Sequence, residues 1–533
     1  MAPCLPGPPH VLNVLANEAG ERFCYYGLRA ILTLYLVDVL GQTPARATST
    51  VSFWIAGTYL SPVLGGYLAD AVLGRYRTIL AFNAIYTAGA LALVGGALSA
   101  APAARDGLLF LGLALVAVGT GGIKANILPF GVDQLAGLPD RATTSFVLAF
   151  YACINLGSLA SYLVMPLARA RAGWPAAFAL PAAALGLSLV AFLSARRRYV
   201  HAPPAGSVLS RAARVCLAAA RAPPPPRGGG GSNGGGGGGS RDIAETTPLV
   251  EQPGAGTGKG GGGGRAAAAP PSAPPPPPTH TCLDRAAGRV DAADLADVAA
   301  VVRLAPFFAV LPVFWSLYDQ TGVTWTLQAR RMELHGLEAD QVQALNALLV
   351  VLFVPPYDAA VRALMAGRWP ALRPTPLRRM AAGCFLATAS FAVSGALEAA
   401  LSRGARPSVA WQLPQYALMT VAELCVSTTG LEFFFREAPA SMKGLIMAGF
   451  FLTTTAGDLL NGVLYRAVDG VLTQEQVVWL FTALMLAAAV AFAAVAARYR
   501  PAPPPPTPPT PADARAGVDD APAAGGEAPH SAA

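Results

Sequence analysis

Asn17-Glu18-Ala19-Gly20-Glu21-Arg22-Phe23-Cys24-Tyr25-Tyr26-Gly27 lies inside an apolar run that extends over about 14–40. Glu18, Arg22, Tyr25 and Arg29 recur at i, i+4, i+7 and i+11, which places them on one face of a helix, with Glu21 flanking the stripe. A charge at the centre of a membrane helix costs about 2.5–3.5 kcal/mol, so a spanning helix carries such a stripe only where that face meets a wet cavity. The rest of the chain agrees that this helix spans a membrane. Of 533 residues, 54% are hydrophobic and only 13% charged, roughly half the charge of a soluble domain. Mean hydropathy is +0.46, which makes a soluble enzyme improbable.

A span takes about 20 apolar residues. Such runs recur at about 50–72, 78–100, 107–131, 144–167 and 175–195, and again at about 302–320, 342–366, 378–401, 410–434, 444–466 and 476–497. The expected fold is therefore an all-α membrane protein with 12 transmembrane helices in two six-helix halves, 14–197 and 301–499. The segment 198–300 between them holds 20 of the 56 glycines and 15 of the 47 prolines, and reads as a disordered cytosolic linker. Residues 1–13 and 500–533 read as cytosolic tails. Arginines beside the spans, at 75, 77, 196–198, 368, 373, 378, 379, 498 and 500, place both termini in the cytosol. No cleavable signal peptide is visible, because the first apolar run is too long and carries acids.

The net charge of +8 is no nucleic-acid stripe: three lysines and 35 arginines are scattered beside apolar runs. Gly254 to Lys259 hints at a phosphate loop, but the first Gly is missing and Gly260 stands where Ser or Thr is required. ATP, cofactors and metals are therefore not expected. The seven cysteines avoid the expected outer loops, so no structural disulfide is expected. The five histidines all lie outside the spans, which leaves carboxylates as the groups able to carry protons within them.

Further charges sit inside the apolar runs. Gly119-Thr120-Gly121-Gly122-Ile123-Lys124 brings a lysine into span four among small residues that allow close helix approach. Lys124 needs an acidic partner, for which Glu18 and Glu21 are the candidates. In the second half, Arg303 begins span seven and Asp319 follows Phe314-Trp315 in it. Asp358 lies inside span eight, and Glu423 and Glu432 lie in span ten. Buried charge from both halves suits a site at a repeat interface.

Glu18-x-x-Glu21-Arg22-Phe23-x-Tyr25-Tyr26-Gly27 resembles the first-helix motif of the proton-coupled oligopeptide transporters, in the major facilitator superfamily. Phe150-Tyr151-x-x-Ile154-Asn155-x-Gly157-Ser158-Leu159 is similar to that family's fifth-helix signature. Gly66-x-Leu68-Ala69-Asp70-x-x-Leu73-Gly74-Arg75-Tyr76-Arg77 looks like the superfamily's loop between spans two and three. Asn346-Ala347 and Pro355-Pro356-Tyr357-Asp358 look closer to the animal-type branch. Two departures stand out. The animal branch has a histidine in span two, where Ser52 stands here by register, and its large extracellular domain between spans nine and ten shrinks to about 403–409.

The resemblance implies a symporter of di- and tripeptides with protons, rocking around a midplane site. It implies that Arg22, Lys124 and Arg29 engage the substrate carboxylate and that Glu432 holds its amino terminus. Asn155 and Asn346 would bond peptide groups, while Tyr25, Tyr59, Tyr151 and Trp315 would line side-chain pockets. Glu18, Glu21 and Asp319 are the implied proton-coupling groups, and Arg303 with Asp358 the implied gating salt bridge. The expected partners are small peptides, protons and the lipid bilayer, without nucleic acid, for a multi-pass monomer. The plasma membrane is favoured over a lysosomal or vacuolar one. Alternatives are the same fold carrying histidine, nitrate or another organic anion, or a non-transporting sensor or scaffold.

Overall fold

Apolar residues at helical spacing, divided by short polar turns, give long helices, and the only strand-like feature among the described residues is a bridge between Glu333 and Ser408. The computed structural model describes residues 7–204, 206–221, 283, 286, 288–367 and 374–499. The first half contains α1 (Val11–Asp38), α2 (Pro44–Leu68), α3 (Arg75–Leu98) and α4 (Pro102–Lys124). A short α5 (Ile127–Asp133) comes next, then α6 (Asp140–Ser194). At 55 residues α6 is too long for one crossing, since about 20 suffice. Gly173, at φ 80°, breaks it into two spans.

After α7 (Val208–Arg221) and α8 (Ala292–Val302), the second half contains α9 (Ala305–Gln320), α10 (Thr324–Ala329) and α11 (Ala344–Ala366). It continues with α12 (Pro376–Ser402), α13 (Leu413–Glu423) and α14 (Thr429–Glu437). It closes with α15 (Lys443–Val468) and α16 (Gln474–Arg498). Between α13 and α14, Leu424–Thr428 winds as a π-turn, so span ten is one helix with an inserted residue. Seven helices among the described residues are long and apolar enough to cross a membrane, or eight counting the bent pair at Ala292–Ala329. The charges of α1 and the polar residues of α2 and α15 keep these three below that mark.

The chain divides into a main unit, Met1–Ala212 with Ala296–Ala533, and a second unit, Ala213–Leu295. The expectation of a disordered 198–300 is corrected at both ends, where 208–221 and 292–302 are helical. Ala, Leu and Arg there supply helix propensity that the Gly and Pro blocks lack. Residues 222–282, with the phosphate-loop look-alike, lie outside the described residues, as do 1–6, 500–533, Arg368 and Arg373.

Two hydrophobic cores form, one chiefly from α1–α6 and one from α9–α16, which makes the two halves. Leu91, Leu148, Leu187, Leu352 and Val490 face outward, an apolar surface suited to lipid. Gly65 and Gly121 bring α2 against α4: a Cβ on Gly65 would strike the Gly121 carbonyl. The halves meet along α2 and α15, where Ser49 Oγ donates to the Gly462 carbonyl at 2.7 Å.

At the end of the bundle where α1 ends, ion pairs tie the halves together. Arg46 Nε lies 2.7 Å from Asp469 Oδ2, and Thr43 Oγ1 donates to Asp469 Oδ1 at 2.8 Å. Arg169 reaches Glu338 at 2.8 Å and Asp340 at 3.0 Å, and Arg330 pairs with Asp38. The hydrogen bonds from Thr43 and then Arg46 hold the Asp469 carboxyl below the usual range, against a small opposing effect of burial.

Candidate functional site

The α1 stripe is buried as its spacing predicts: Glu18, Glu21, Arg22 and Arg29 are all nearly inaccessible. Arg22 Nε lies 3.0 Å from Glu18 Oε1, and its Nη2 pairs with Glu21. Seven residues on, Arg29 Nη2 lies 2.8 Å from Asp319 Oδ1 on α9 and donates to the Asp319 carbonyl at 3.3 Å. The first arginine is thus ion-paired within its own helix, and the second bridges the halves.

A cavity of about 200 Å³ lies between the halves. The first half contributes Tyr26, Arg29, Tyr151, Asn155 and Tyr162; the second contributes Tyr318, Gln343, Asn346, Tyr416 and Glu423. One wall is cationic through Arg29 and the opposite half supplies a carboxylate, Glu423. That carboxylate accepts from Tyr318 Oη at 2.9 Å and from Asn346 Nδ2 at 3.2 Å. Asn155 Nδ2 is turned back to the Tyr151 carbonyl at 2.9 Å, one helical turn away. The arrangement can hold a small molecule with opposite charges at its two ends, between tyrosines.

Of the expected binding residues, Arg29, Tyr151, Asn155 and Asn346 line this cavity. Glu432 does not, and is corrected here: its side chain is 64% exposed and lies 3.5 Å from Arg379. It stands nine positions beyond Glu423, across the intervening π-turn, and Glu423 takes the cavity position. Tyr25 is also corrected. It is fully buried and stacks on Trp54 with ring centroids 5.7 Å apart, while its neighbour Tyr26 faces the cavity. Successive residues point about 100° apart on a helix. Trp315 packs edge-on against Phe314 and Tyr318 and is core rather than lining.

Lys124 has no carboxylate partner among the described residues, contrary to expectation, because Glu18 and Glu21 are both engaged by Arg22. Its ammonium instead sits over the Tyr59 ring, 3.6 Å from the centroid, and 4.7 Å from that of Tyr25. Lys124 also lines a second cavity of about 450 Å³, with Asp70, Asn126, Leu431 and Phe451. Tyr59 therefore belongs to the lysine, not to the first cavity. The expected Arg303–Asp358 bridge is not formed: Asp358 is exposed and held by Arg362 at 2.7 Å, one turn along the same helix. No cluster able to hold a metal occurs among the described residues.

Residues 76–223 and 284–480 match the POT family, well over half the chain. The chain belongs to the POT family. Curated relatives include solute carrier family 15 member 1 of Canis lupus familiaris, 30% identical over 74% of this chain and 52% of that protein. Another is peptide transporter family 1 of Drosophila melanogaster, 31% identical over 76% of this chain and 49% of that one. The chain thus spans about half the length of the curated relatives it matches. A crystal structure of an auto-inhibited POT family peptide transporter aligns with TM-score 0.76 and 29% identity, covering 93% of this chain and 98% of that one. This POT family chain is a multi-pass integral membrane protein of the major facilitator fold. Signals for Tyr26 and Glu423 were present in the sequence, one beside a chosen tyrosine and one as a buried acid in span ten. What was missing was the rotation that aims them.

Proposed function

We propose that the chain is a proton-coupled symporter of di- and tripeptides that works by alternating access. The observation that carries this reading is the cavity between the halves, with Arg29 on one wall and Glu423 on the other. A zwitterionic peptide matches that polarity: its carboxylate goes to Arg29 and its amine to Glu423, with Asn155 and Asn346 bonding its amide groups. Tyr26, Tyr151 and Tyr318 give aromatic walls that tolerate varied side chains. A purely anionic cargo would leave Glu423 facing like charge, which disfavours nitrate. The family membership and the names of the relatives support the same cargo.

Glu18, Glu21 and Asp319 would carry protons, each neutralising the partner of an arginine and so freeing that arginine for substrate. Arg22 and Lys124 would act when the cluster of Glu18, Glu21 and Arg22 opens. The ion-paired end of the bundle would be the outer face and the termini cytosolic, so this conformation is closed outward. We place the protein in the plasma membrane as a monomer, with peptides and protons as its partners and no catalysis.

The test is uptake of labelled alanyl-alanine into proteoliposomes under an inward proton gradient, with unlabelled peptides, histidine and nitrate as competitors. Gradient-dependent uptake blocked by peptides alone is expected. Uptake that ignores the gradient, or competition by nitrate, overturns the reading.

A further inference from the structure

A second carboxyl group lies beside the Arg29–Asp319 pair that no motif singled out. Asp458 of α15 is fully buried, and neither of its oxygens receives a hydrogen bond from any donor among the described residues. It lies within hydrogen-bonding reach of Asp319. Its placement comes from the contact between α9 and α15. Gly457 has no side chain, and a Cβ there would strike the Pro312 carbonyl and come within 2.8 Å of the Ser316 nitrogen. One turn further, Asn461 Nδ2 donates to the Ser316 carbonyl at 2.8 Å, and its Oδ1 accepts from Ser316 Oγ at 2.7 Å. These bonds fix the register that sets the two aspartates side by side.

Two ionised carboxylates in contact, away from water, repel. Held with a single proton they form a charge-assisted O–H···O bond instead. One proton leaves the pair at −1, which Arg29 balances. Other groups facing the cluster are Tyr25 of α1, Tyr59 of α2, Lys124 of α4, Tyr318 of α9 and Glu423 of α13. None of them is hydrogen-bonded to Asp458.

We propose that Asp319 and Asp458 together form a proton site, holding one proton between them opposite Arg29. A second proton converts the remaining carboxylate to the acid. Arg29 then loses its counter-ion and turns its guanidinium to an incoming substrate carboxylate. When the substrate leaves, Arg29 returns to Asp319 and that second proton departs. This inference rests on the symporter reading for its role in transport, but not for the existence of the shared proton.

The shared proton is read by infrared difference spectroscopy of the full-length protein in lipid, between acid and alkaline pH, in H2O and D2O. A carboxylic-acid carbonyl band sensitive to deuterium is expected. It should vanish in Asp458→Asn and in Asp319→Asn, and shift in Asp458→Glu, which keeps the acid but moves it. A band unchanged in position and intensity in both Asp458 variants overturns the proposal. In proteoliposomes, gradient-driven peptide accumulation by Asp458→Asn should fall about tenfold relative to peptide exchange without a gradient. An unaltered ratio overturns the coupling role. Wild-type protein that shows the band but carries no peptide upholds the pair and overturns the peptide reading instead.

Discussion

Two arginines seven residues apart on α1 each sit among two carboxyls, yet the two clusters are built differently. Arg22 is held by Glu18 and Glu21 of its own helix. Arg29 is held by Asp319, which in turn touches Asp458, both from the opposite half. A cluster confined to one helix is indifferent to any movement between the halves. A cluster that bridges the halves changes its energy whenever they separate. Only the second can therefore report protonation to the conformation directly; the first must act by releasing Arg22 locally. The same local chemistry, placed on one element or across three, gives two different devices.

The largest test of this contrast removes the cross-half acid. Asp319→Ala removes the carboxylate that pairs directly with buried Arg29, and breaking such a pair costs about 3–5 kcal/mol. Thermal unfolding in detergent should show a loss of that order. A variant as stable as the wild type would break the comparison. Glu21→Gln is expected to cost less, about 1–3 kcal/mol, because Arg22 keeps Glu18 and the replacement keeps the shape. Spectroscopic distances between labels on the two halves should move in Asp319→Asn and stay in place in Glu21→Gln; equal movement in both would erase the distinction.

Lys124 sharpens the comparison because it is ion-paired in neither cluster. Lys124→Met keeps the bulk and forfeits the cation–π contacts to Tyr59 and Tyr25, worth about 0.5–2 kcal/mol. Stability loss should therefore be small, and a loss as large as that of Asp319→Ala would reveal a missed carboxylate partner.

The smallest effect belongs to the exposed rim. Arg46→Gln should change stability by only about 0.2–1 kcal/mol. Because Asp469 has a lowered folded pKa, its rim contact is fully present above the ordinary aspartate value, about 3.9, and is lost as pH falls through the lowered one. Closure of this rim, tracked by cysteine accessibility near Thr43, should be flat between about pH 6 and 8 and loosen only in strong acid. Loosening near neutral pH would assign the switch to the rim and not to the buried clusters.

Period and apolarity were enough to read the two halves, the α1 stripe and its burial, because a helix repeats regularly and lipid demands apolar surface. Reading the cavity required more. Glu432 and Glu423 look equivalent as acids in one apolar run, but the π-turn at Leu424–Thr428 rotates α14 relative to α13. Tyr25 and Tyr26 differ by one position and hence by a face. Lys124 reads as needing an acid because cation–π partners leave no mark in a sequence. Asp458 escaped notice because its meaning lies wholly in α9 being pressed against it at Gly457.

The hydrogen bonds between α9 and α15 continue past Asn461. Tyr465 Oη donates to Gln320 Oε1 at 2.7 Å and lies 3.1 Å from Thr324 Oγ1. With Ser316 and Asn461 these residues make a polar zipper where lipid offers no substitute partners. Sliding one helix past the other would open several of these bonds at once, so the two must travel as a single rail. The second half then has fewer mechanical parts than it has helices. Probes on α9 and α15 should keep a constant separation through every stage of a transport cycle, while each drifts relative to α1.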